Sequence, residues 1–159
     1  MLQALKPLLA AGADEAPALG APGRRALSFG ELRALIARTV AALNGAGIGR
    51  NDAVAIVLPN GPEMAACYMA CASGVTSAPL NPAYRADEFE FYLADLQAKA
   101  LIVERGSASP AVEVAAKLGV RLIELVPRAD GGAGDFDLDL PATTPAAQGG
   151  DAQPGDVSM

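Results

Sequence analysis

Short apolar runs alternate with segments of helical periodicity along most of this chain, and this alternation constrains its fold more than any other feature. The runs cover residues 54–58, 76–80, 100–103 and 120–125, and Pro, Gly, Asn or charged residues flank them. Strands that are apolar on both faces and are joined by helices form parallel sheets covered by helices on both sides. The sequence therefore predicts an α/β domain with a Rossmann-like or flavodoxin-like, doubly wound, mostly parallel sheet of about four strands.

Capping signals mark the beginnings of the predicted helices. Ser28 and Glu31 have the S-x-x-E spacing of a capping box, which predicts that the Ser28 side chain accepts a hydrogen bond from the Glu31 backbone N–H. Asn60 is predicted to be the N-cap of the second helix, with Pro62 just inside it and Glu63 at N3. The four main helices are expected over residues 28–45, 60–73, 87–97 and 109–119.

The two ends of the chain differ from its middle. Residues 1–16 predict an amino-terminal helix over Leu2–Ala11 that ends at Gly12, and a hairpin turn at 20–23 follows. Residues 17–127 are expected to form the α/β subdomain. Residues 128–159 are rich in Gly, Asp, Pro, Ala and Thr, which predicts an extended segment or linker with a strand possible at 136–140.

Charge and hydropathy exclude several classes of protein. Lys and Arg number 12 against 18 Asp and Glu, which gives a net charge of −6 and argues against nucleic-acid binding. The amino terminus lacks the basic and apolar regions of a signal peptide. The apolar window 64–79 is interrupted by Gly74, so it is not expected to span a membrane. A cytoplasmic location is the expectation.

Few residues offer catalytic chemistry. The chain has no His, the commonest general base, and its two cysteines, Cys67 and Cys71, are interpreted as buried packing residues because two thiols make a poor metal site. Neither a G-x-G-x-x-G nor a G-x-x-x-x-G-K-[ST] loop is present. The acidic residues at 87–90 are explained by the macrodipole at a helix start, where Glu88 is expected to act as a cap.

Three loops follow the predicted strands and are the candidates for ligand contact. They cover residues 59–62, 81–85 and 104–107, and ligands bind at such carboxyl ends in open α/β sheets. Simple turn and cap chemistry explains most of their residues. Arg85 is the exception, because a cation just before a helix amino terminus is unfavourably placed relative to the macrodipole. Its position suggests that it binds an anionic ligand or a partner carboxylate.

Four segments resemble, in order, the beginning of the adenylate-forming acyl- and aryl-CoA synthetases. Leu27–Leu32 is similar to the Thr-Tyr-x-Glu-Leu helix start of that family, and Asn51–Asn60 to its G-D-x-V-A-I-x-L-P-N strand and turn. Ala78–Tyr84 and Glu88–Leu93 are similar to its P-L-N-P-x-Y … E-x-x-x-x-L segment, and Glu88–Leu93 looks closest to the oxalate–CoA and 4-coumarate–CoA ligase-like branch. Each motif is short, but their order is characteristic.

The resemblance implies a two-step reaction in a longer parent enzyme. In such an enzyme, a carboxylic acid, ATP and Mg²⁺ give an acyl-adenylate and pyrophosphate, and the CoA thiol then displaces AMP. The resemblance places the phosphate loop beyond residue 159, so this chain is expected to be an inactive amino-terminal fragment that packs against the rest of the same polypeptide. It also implies that Asn81, Tyr84 and Arg85 lie near the CoA phosphates, with Arg85 as the contact and no metal ligand or catalytic residue in the chain.

The sequence is also compatible with other classes of protein. A standalone α/β binding or interaction module without catalysis is the main alternative. A flavodoxin-like or response-regulator-like domain would require a Ser/Thr-rich phosphate loop or an acidic cluster with a switch Lys, and neither is found. If the chain is separated from a larger domain, we expect it to expose an apolar surface and to form a homodimer through it.

Overall fold

The computed structural model describes residues 5–157 and shows one five-stranded sheet with helices on both faces. The elements are α1 (Leu5–Leu9), β1 (Pro17–Leu19), β2 (Leu27–Ser28), α2 (Phe29–Gly45), β3 (Ala53–Val57), α3 (Pro62–Ala72), β4 (Thr76–Pro79), α4 (Ala86–Asp95), β5 (Ala100–Glu104), α5 (Pro110–Leu118), β6 (Arg121–Pro127) and β7 (Phe136–Asp139). The sheet order is β4-β3-β5-β6-β7, parallel throughout except for the antiparallel pair β6–β7. The predicted fold class is confirmed.

Two hydrophobic cores lie on opposite faces of the sheet and explain the unbroken apolar strands. Val54 and Ile56 of β3 pack with residues of α2 and α3, whereas Ala55 and Val57 pack with residues of α4 and α5. All four side chains are at least 97% buried. Because successive side chains of a strand point to opposite faces, only a strand covered on both sides requires apolar residues at every position.

The strand order creates a topological switch point between β3 and β5. The chain leaves β3 through α3 to reach β4 on one side, and then returns through α4 to place β5 on the other side of β3. This is the arrangement of flavodoxin-like sheets, in which ligands bind in the crevice between the two strands whose connections diverge. The carboxyl ends of β3 and β5 therefore border the crevice in which a ligand is expected.

The capping prediction is confirmed for α2 and wrong for α3. The Glu31 backbone N–H donates to Ser28 Oγ at 3.2 Å, and the Ser28 N–H donates to the Glu31 carboxylate at 2.9 Å. In α3, however, the N-cap is Gly61 rather than Asn60, and no side chain caps it. The residue before a proline is driven into the extended region, so Pro62 at N1 makes its neighbour the N-cap and moves Glu63 to N2.

The amino-terminal helix is shorter than predicted. Of the expected helix, residues 2–4 lie outside the described residues, and α1 ends at Leu9 instead of Ala11. The Arg33 guanidinium satisfies acceptors at this end, because it donates to the Leu9 carbonyl at 2.7 Å and to the Gly12 carbonyl at 3.0 Å. The predicted hairpin is confirmed as the antiparallel pair β1–β2.

Residues 128–157 contain the possible strand as β7, and the rest of this segment is irregular or extended. The segment lies against the sheet and helices. Ala133 and Phe136 are at least 99% buried, and the Thr143 and Ala152 backbone N–H groups donate to the carbonyls of Gly45 and Ser73 at 2.9 and 2.8 Å. The division of the chain at residues 16 and 127 stays a prediction. Within residues 5–157, no helix combines the length and apolarity needed to cross a bilayer.

Candidate functional site

The three loops predicted from the sequence all follow strands that end at the same edge of the parallel sheet. The structure brings two of them together: the residues after β3 and the end of β5 line one groove at the switch point. The loop at 81–85 follows β4, which lies on the other side of β3, and it does not line that groove. The carboxyl edge is thus divided into a groove at its centre and a separate loop beside it.

The groove, which we call the switch-point groove, has a volume of about 160 Å³. Its lining residues are Leu58, Pro59, Asn60, Gly61, Pro62, Glu63, Glu104, Leu125 and Pro127. Apolar residues form most of the walls. The charged side chains among the lining residues are the carboxylates of Glu63 and Glu104. No Lys or Arg is among the lining residues, so the groove is electrostatically unfavourable for phosphate.

One of the two carboxylates is held in an ion pair. The Arg24 guanidinium lies 2.5 Å from Glu63 Oε1, and its other terminal nitrogen donates to the Gly132 carbonyl at 3.3 Å. Arg24 therefore joins the loop between β1 and β2, the start of α3 and the turn before β7. Sequence reasoning missed this contact, because Arg24 and Glu63 are 39 positions apart and no local pattern relates them.

The oxygens of Asn81 accept hydrogen bonds within its own loop. Its side-chain Oδ1 accepts a hydrogen bond from the Ala83 backbone N–H at 2.9 Å, and its backbone carbonyl accepts one from the Tyr84 N–H at 3.1 Å. This is the Asx-turn geometry in which an asparagine side chain replaces a backbone acceptor. Asn81 thus fixes the loop conformation that presents the residues after it.

Tyr84 packs its ring against α4. Its ring is stacked on that of Tyr92, with centroids 5.1 Å apart and planes 12° apart, and makes an edge contact with Phe89 at 5.8 Å. A hydrogen bond with the Tyr92 phenol, more than desolvation, raises the pKa of Tyr84. Phe89 is fully buried while Tyr92 is half-buried, so the Tyr84 ring lies between the core side of α4 and its partly exposed side.

Arg85 is the N-cap residue of α4. Its backbone N–H donates to Glu88 Oε2 at 2.8 Å, which confirms the capping role predicted for Glu88. The Arg85 side chain is exposed and makes no hydrogen bond or ion pair with any residue of the described range 5–157. A cation in this position gains nothing from the positive end of the helix dipole. Arg85 therefore remains available to an anion.

The cysteines are packing residues, as the sequence suggested. Cys67 and Cys71 are fully buried on the inner face of α3. The hydrogen bond between the two thiols, together with burial, raises the pKa of Cys67, which makes the reactive thiolate unfavourable. In the part of the chain that the structure describes, no group of three or more His, Cys, Asp or Glu residues gathers as a metal site.

The fold and this edge define a class of protein, an open α/β sheet with a flavodoxin-like switch point and ligand-accessible loops at the carboxyl ends of its strands. A family model described as AMP-binding enzyme matches residues 9–157. The chain belongs to this family of AMP-binding enzymes, which confirms the resemblance carried by the ordered motifs.

Known proteins with similar sequences include CoA ligases. The chain is 40% identical over 105 residues to oxalate–CoA ligase of Arabidopsis thaliana, a match that covers 65% of this chain and 20% of that protein. It is 31% identical over 113 residues to 3-hydroxybenzoate–CoA ligase of Aromatoleum sp. (strain CIB), covering 70% of this chain and 21% of the relative. The chain therefore spans about a fifth of the length of these curated relatives.

A solved structure with the same fold is ATP-bound MatB of Rhodopseudomonas palustris. The TM-score is 0.67 at 25% identity, and the match covers 77% of this chain and 25% of MatB. The likeness places the sheet and its helices within the fold of a known family member. As with the sequence matches, most of the relative lies outside the matched region.

Proposed function

We propose that this chain is the amino-terminal part of an ATP-dependent acid–CoA ligase, which activates a carboxylic acid as an acyl-adenylate and transfers the acyl group to CoA. The observation that carries this proposal is the family match over residues 9–157, together with curated relatives that are CoA ligases. The ordered motifs lie on β2 and the start of α2, on β3 and the loop after it, and on the end of β4, the loop after it and α4.

The described residues do not fit ATP and Mg²⁺. They contain no glycine-rich phosphate loop, gather no metal-ligand set, and place carboxylates rather than cations in the switch-point groove. No step of adenylate formation is assigned to them. We therefore expect purified chain of this length to hydrolyse no ATP, and the donors and metal that stabilise phosphoryl transfer to come from the rest of the same polypeptide.

The loop at 81–85 does fit an anionic group, and CoA carries several phosphates. Asn81 fixes the turn, Tyr84 anchors it on α4, and Arg85 offers an exposed guanidinium that no carboxylate neutralises within residues 5–157. A guanidinium binds phosphate through charge-assisted hydrogen bonds. In the proposed function, Arg85 is the residue that binds a CoA phosphate, and the acyl transfer itself takes place elsewhere.

The change Arg85→Ala in the full polypeptide tests this assignment. The KM for CoA should rise by roughly ten- to 150-fold, the range that corresponds to losing one charge-assisted hydrogen bond of about 1.5 to 3 kcal/mol. Adenylate formation, followed by pyrophosphate release without CoA, should be unchanged. Arg85→Lys retains the charge and should restore part of the affinity. An unchanged CoA dependence in Arg85→Ala would remove Arg85 from the site.

The reaction class is tested by pyrophosphate release from the full polypeptide with a panel of acids that includes oxalate and 4-coumarate. Release that depends on both ATP and an acid, followed by formation of an acyl-CoA, is the expected result. A polypeptide that binds these compounds without releasing pyrophosphate would instead support a binding module without catalysis.

We also propose that the isolated chain self-associates and that the protein is cytoplasmic. Separated from its polypeptide, the chain exposes several large apolar side chains, namely Leu8, Phe91, Leu118, Leu122 and Val157. Exposed apolar surface promotes association. We expect sedimentation velocity to show a homodimer of the isolated chain that increases with concentration. A monomer at every concentration would contradict this part of the proposal.

A further inference from the structure

The switch-point groove combines apolar walls with negative charge at its opening. Leu58 and Leu125 are 97% and 100% buried, so they belong to the packed sheet, and Pro59, Pro62 and Pro127 add rigid walls. Prolines have a fixed φ and strand ends are held by the sheet, so the groove is formed before any partner arrives. Its volume of about 160 Å³ is below the range typical of sites for whole small molecules. The dimensions suit one inserted side chain.

The two carboxylates of the groove are not equivalent. Glu63 is neutralised by Arg24, which is itself anchored on the Gly132 carbonyl. Glu104 is exposed, and its side chain has no hydrogen bond or ion pair with the described residues. The neighbouring Arg105 does not compensate it, because that guanidinium is paired with Asp139 at 2.6 Å and with Glu124 at 3.5 Å. Among the described residues, Glu104 is therefore left without a counter-ion.

We propose that the switch-point groove is a docking socket for the side chain of an Arg or Lys on another polypeptide segment. The aliphatic stem would lie against the proline walls, and the cationic end would pair with Glu104, as amphipathic basic side chains do at interfaces. The net charge of −6 also attracts basic partners over longer distances. An anionic ligand is disfavoured, because no cation lines the groove. The inference does not rest on the proposed function.

Chemical-shift mapping on the ¹⁵N-labelled chain tests the socket with defined probes. The first probe is N-acetyl-arginine amide, and its matched neutral control is N-acetyl-citrulline amide, which has nearly the same shape without the charge. The arginine probe should shift the backbone amides of Asn60, Gly61 and Arg105 with saturation, and the citrulline probe should bind at least two-fold more weakly. Equal binding of the two probes, or shifts of these amides by inorganic phosphate or AMP instead, would overturn the proposal.

Two variants distinguish the effect of the Glu104 charge from that of the net negative charge of the chain. Glu104→Gln should weaken the arginine probe by about two- to five-fold, the effect expected of a solvent-exposed ion pair. Glu113→Gln is the matched control, because Glu113 is an exposed carboxylate on α5 that does not line the groove, and it should leave binding unchanged. Equal losses in both variants would mean that only the net charge matters and would reject the socket.

A third variant acts in the opposite direction. Arg24→Ala removes the partner of Glu63 and so adds an uncompensated carboxylate to the groove. The arginine probe should then bind about two- to five-fold more tightly, again on the scale of an exposed ion pair. The free energy of unfolding of each variant, measured with urea, identifies any loss of binding caused by unfolding. Weaker binding in a folded Arg24→Ala variant would contradict the proposal.

Discussion

At the residue scale, the Glu31 side chain takes part both in an ion pair with Arg25 and in the capping box of α2. The Arg25 guanidinium binds both oxygens of the Glu31 carboxylate, at 2.9 and 2.8 Å, and the Ser28 N–H donates to the same group. The hydrogen bond from Arg25, followed by that from Ser28, lowers the pKa of Glu31 from 4.5 to about 2. The ionised carboxylate therefore stabilises the start of α2.

The pH dependence of unfolding should reveal this contribution. Since the pKa of Glu31 is lower in the folded chain than in the unfolded one, its stabilisation is complete above pH 4.5 and is lost as the pH falls towards 2. We expect Glu31→Gln to lower the free energy of unfolding by about 1 kcal/mol at pH 7, because solvent screens a side chain that is 41% exposed.

Urea unfolding at pH 7, 5, 4 and 3 measures this contribution, and the difference between wild type and Glu31→Gln should shrink across the two lowest values. Glutamine can still complete a capping box, so the variant isolates the charge. A difference that is the same at pH 7 and pH 3 would mean that the ionised carboxylate contributes nothing. The sequence predicted the Ser28–Glu31 contact, which is local, but not the contribution of Arg25 from outside the helix.

At the element scale, α3 and α5 both have proline at N1 but begin in different ways. In α5, Ser109 Oγ accepts a hydrogen bond from the Ala111 backbone N–H at 3.2 Å, whereas in α3 the N-cap Gly61 has no side chain to do so. Ser109→Ala should therefore cost about 1 kcal/mol of stability, the usual effect of removing a cap, and Asn60→Ala should cost close to nothing.

The two substitutions are compared by thermal and urea unfolding of otherwise identical chains. If Asn60→Ala were as destabilising as Ser109→Ala, Asn60 would be the effective cap of α3 and the boundary at Gly61 would be misplaced. The pair also shows why the sequence misled at this position. A capping residue, a glycine and a proline in succession leave two candidates for the N-cap, and the conformational restriction that proline places on its predecessor decides between them.

The strands were predictable to different degrees for a physical reason. The runs at β3 and β5 are apolar at every position because both faces are covered, and this pattern is visible without a structure. In β7, only Phe136 is buried, with Asp137 and Asp139 exposed, so the sequence indicated no more than a possible strand. Strand order was not predictable at all, since an apolar run does not encode which neighbour it pairs with. The composition of the switch-point groove depends on that order.

At the scale of the whole molecule, residues 128–157 connect parts of the fold that are distant in sequence. The Ala133 N–H donates to the Arg25 carbonyl at 2.8 Å, and the Arg38 guanidinium pairs with Asp135 and donates to the Phe136 carbonyl at 2.9 Å. This last contact occupies a backbone acceptor on the last strand of the sheet, where an unpaired edge would otherwise invite further pairing. Composition alone predicted a linker here, because glycines suggest flexibility unless their close contacts are known.

Gly134 is the position at which this packing can be tested most directly. Its φ is +90°, and an added Cβ would lie 2.8 Å from the Pro62 carbonyl oxygen at the start of α3. Gly106 is a matched control, with a φ of +74° and open space around its Cα. Gly106→Ala should cost about 1 kcal/mol through backbone strain alone, whereas Gly134→Ala should cost at least about 2 kcal/mol more because the turn must also move away from α3. Urea unfolding measures both. Equal costs would mean that the turn is not pressed against α3, and that residues 128–135 behave as the linker their composition suggests.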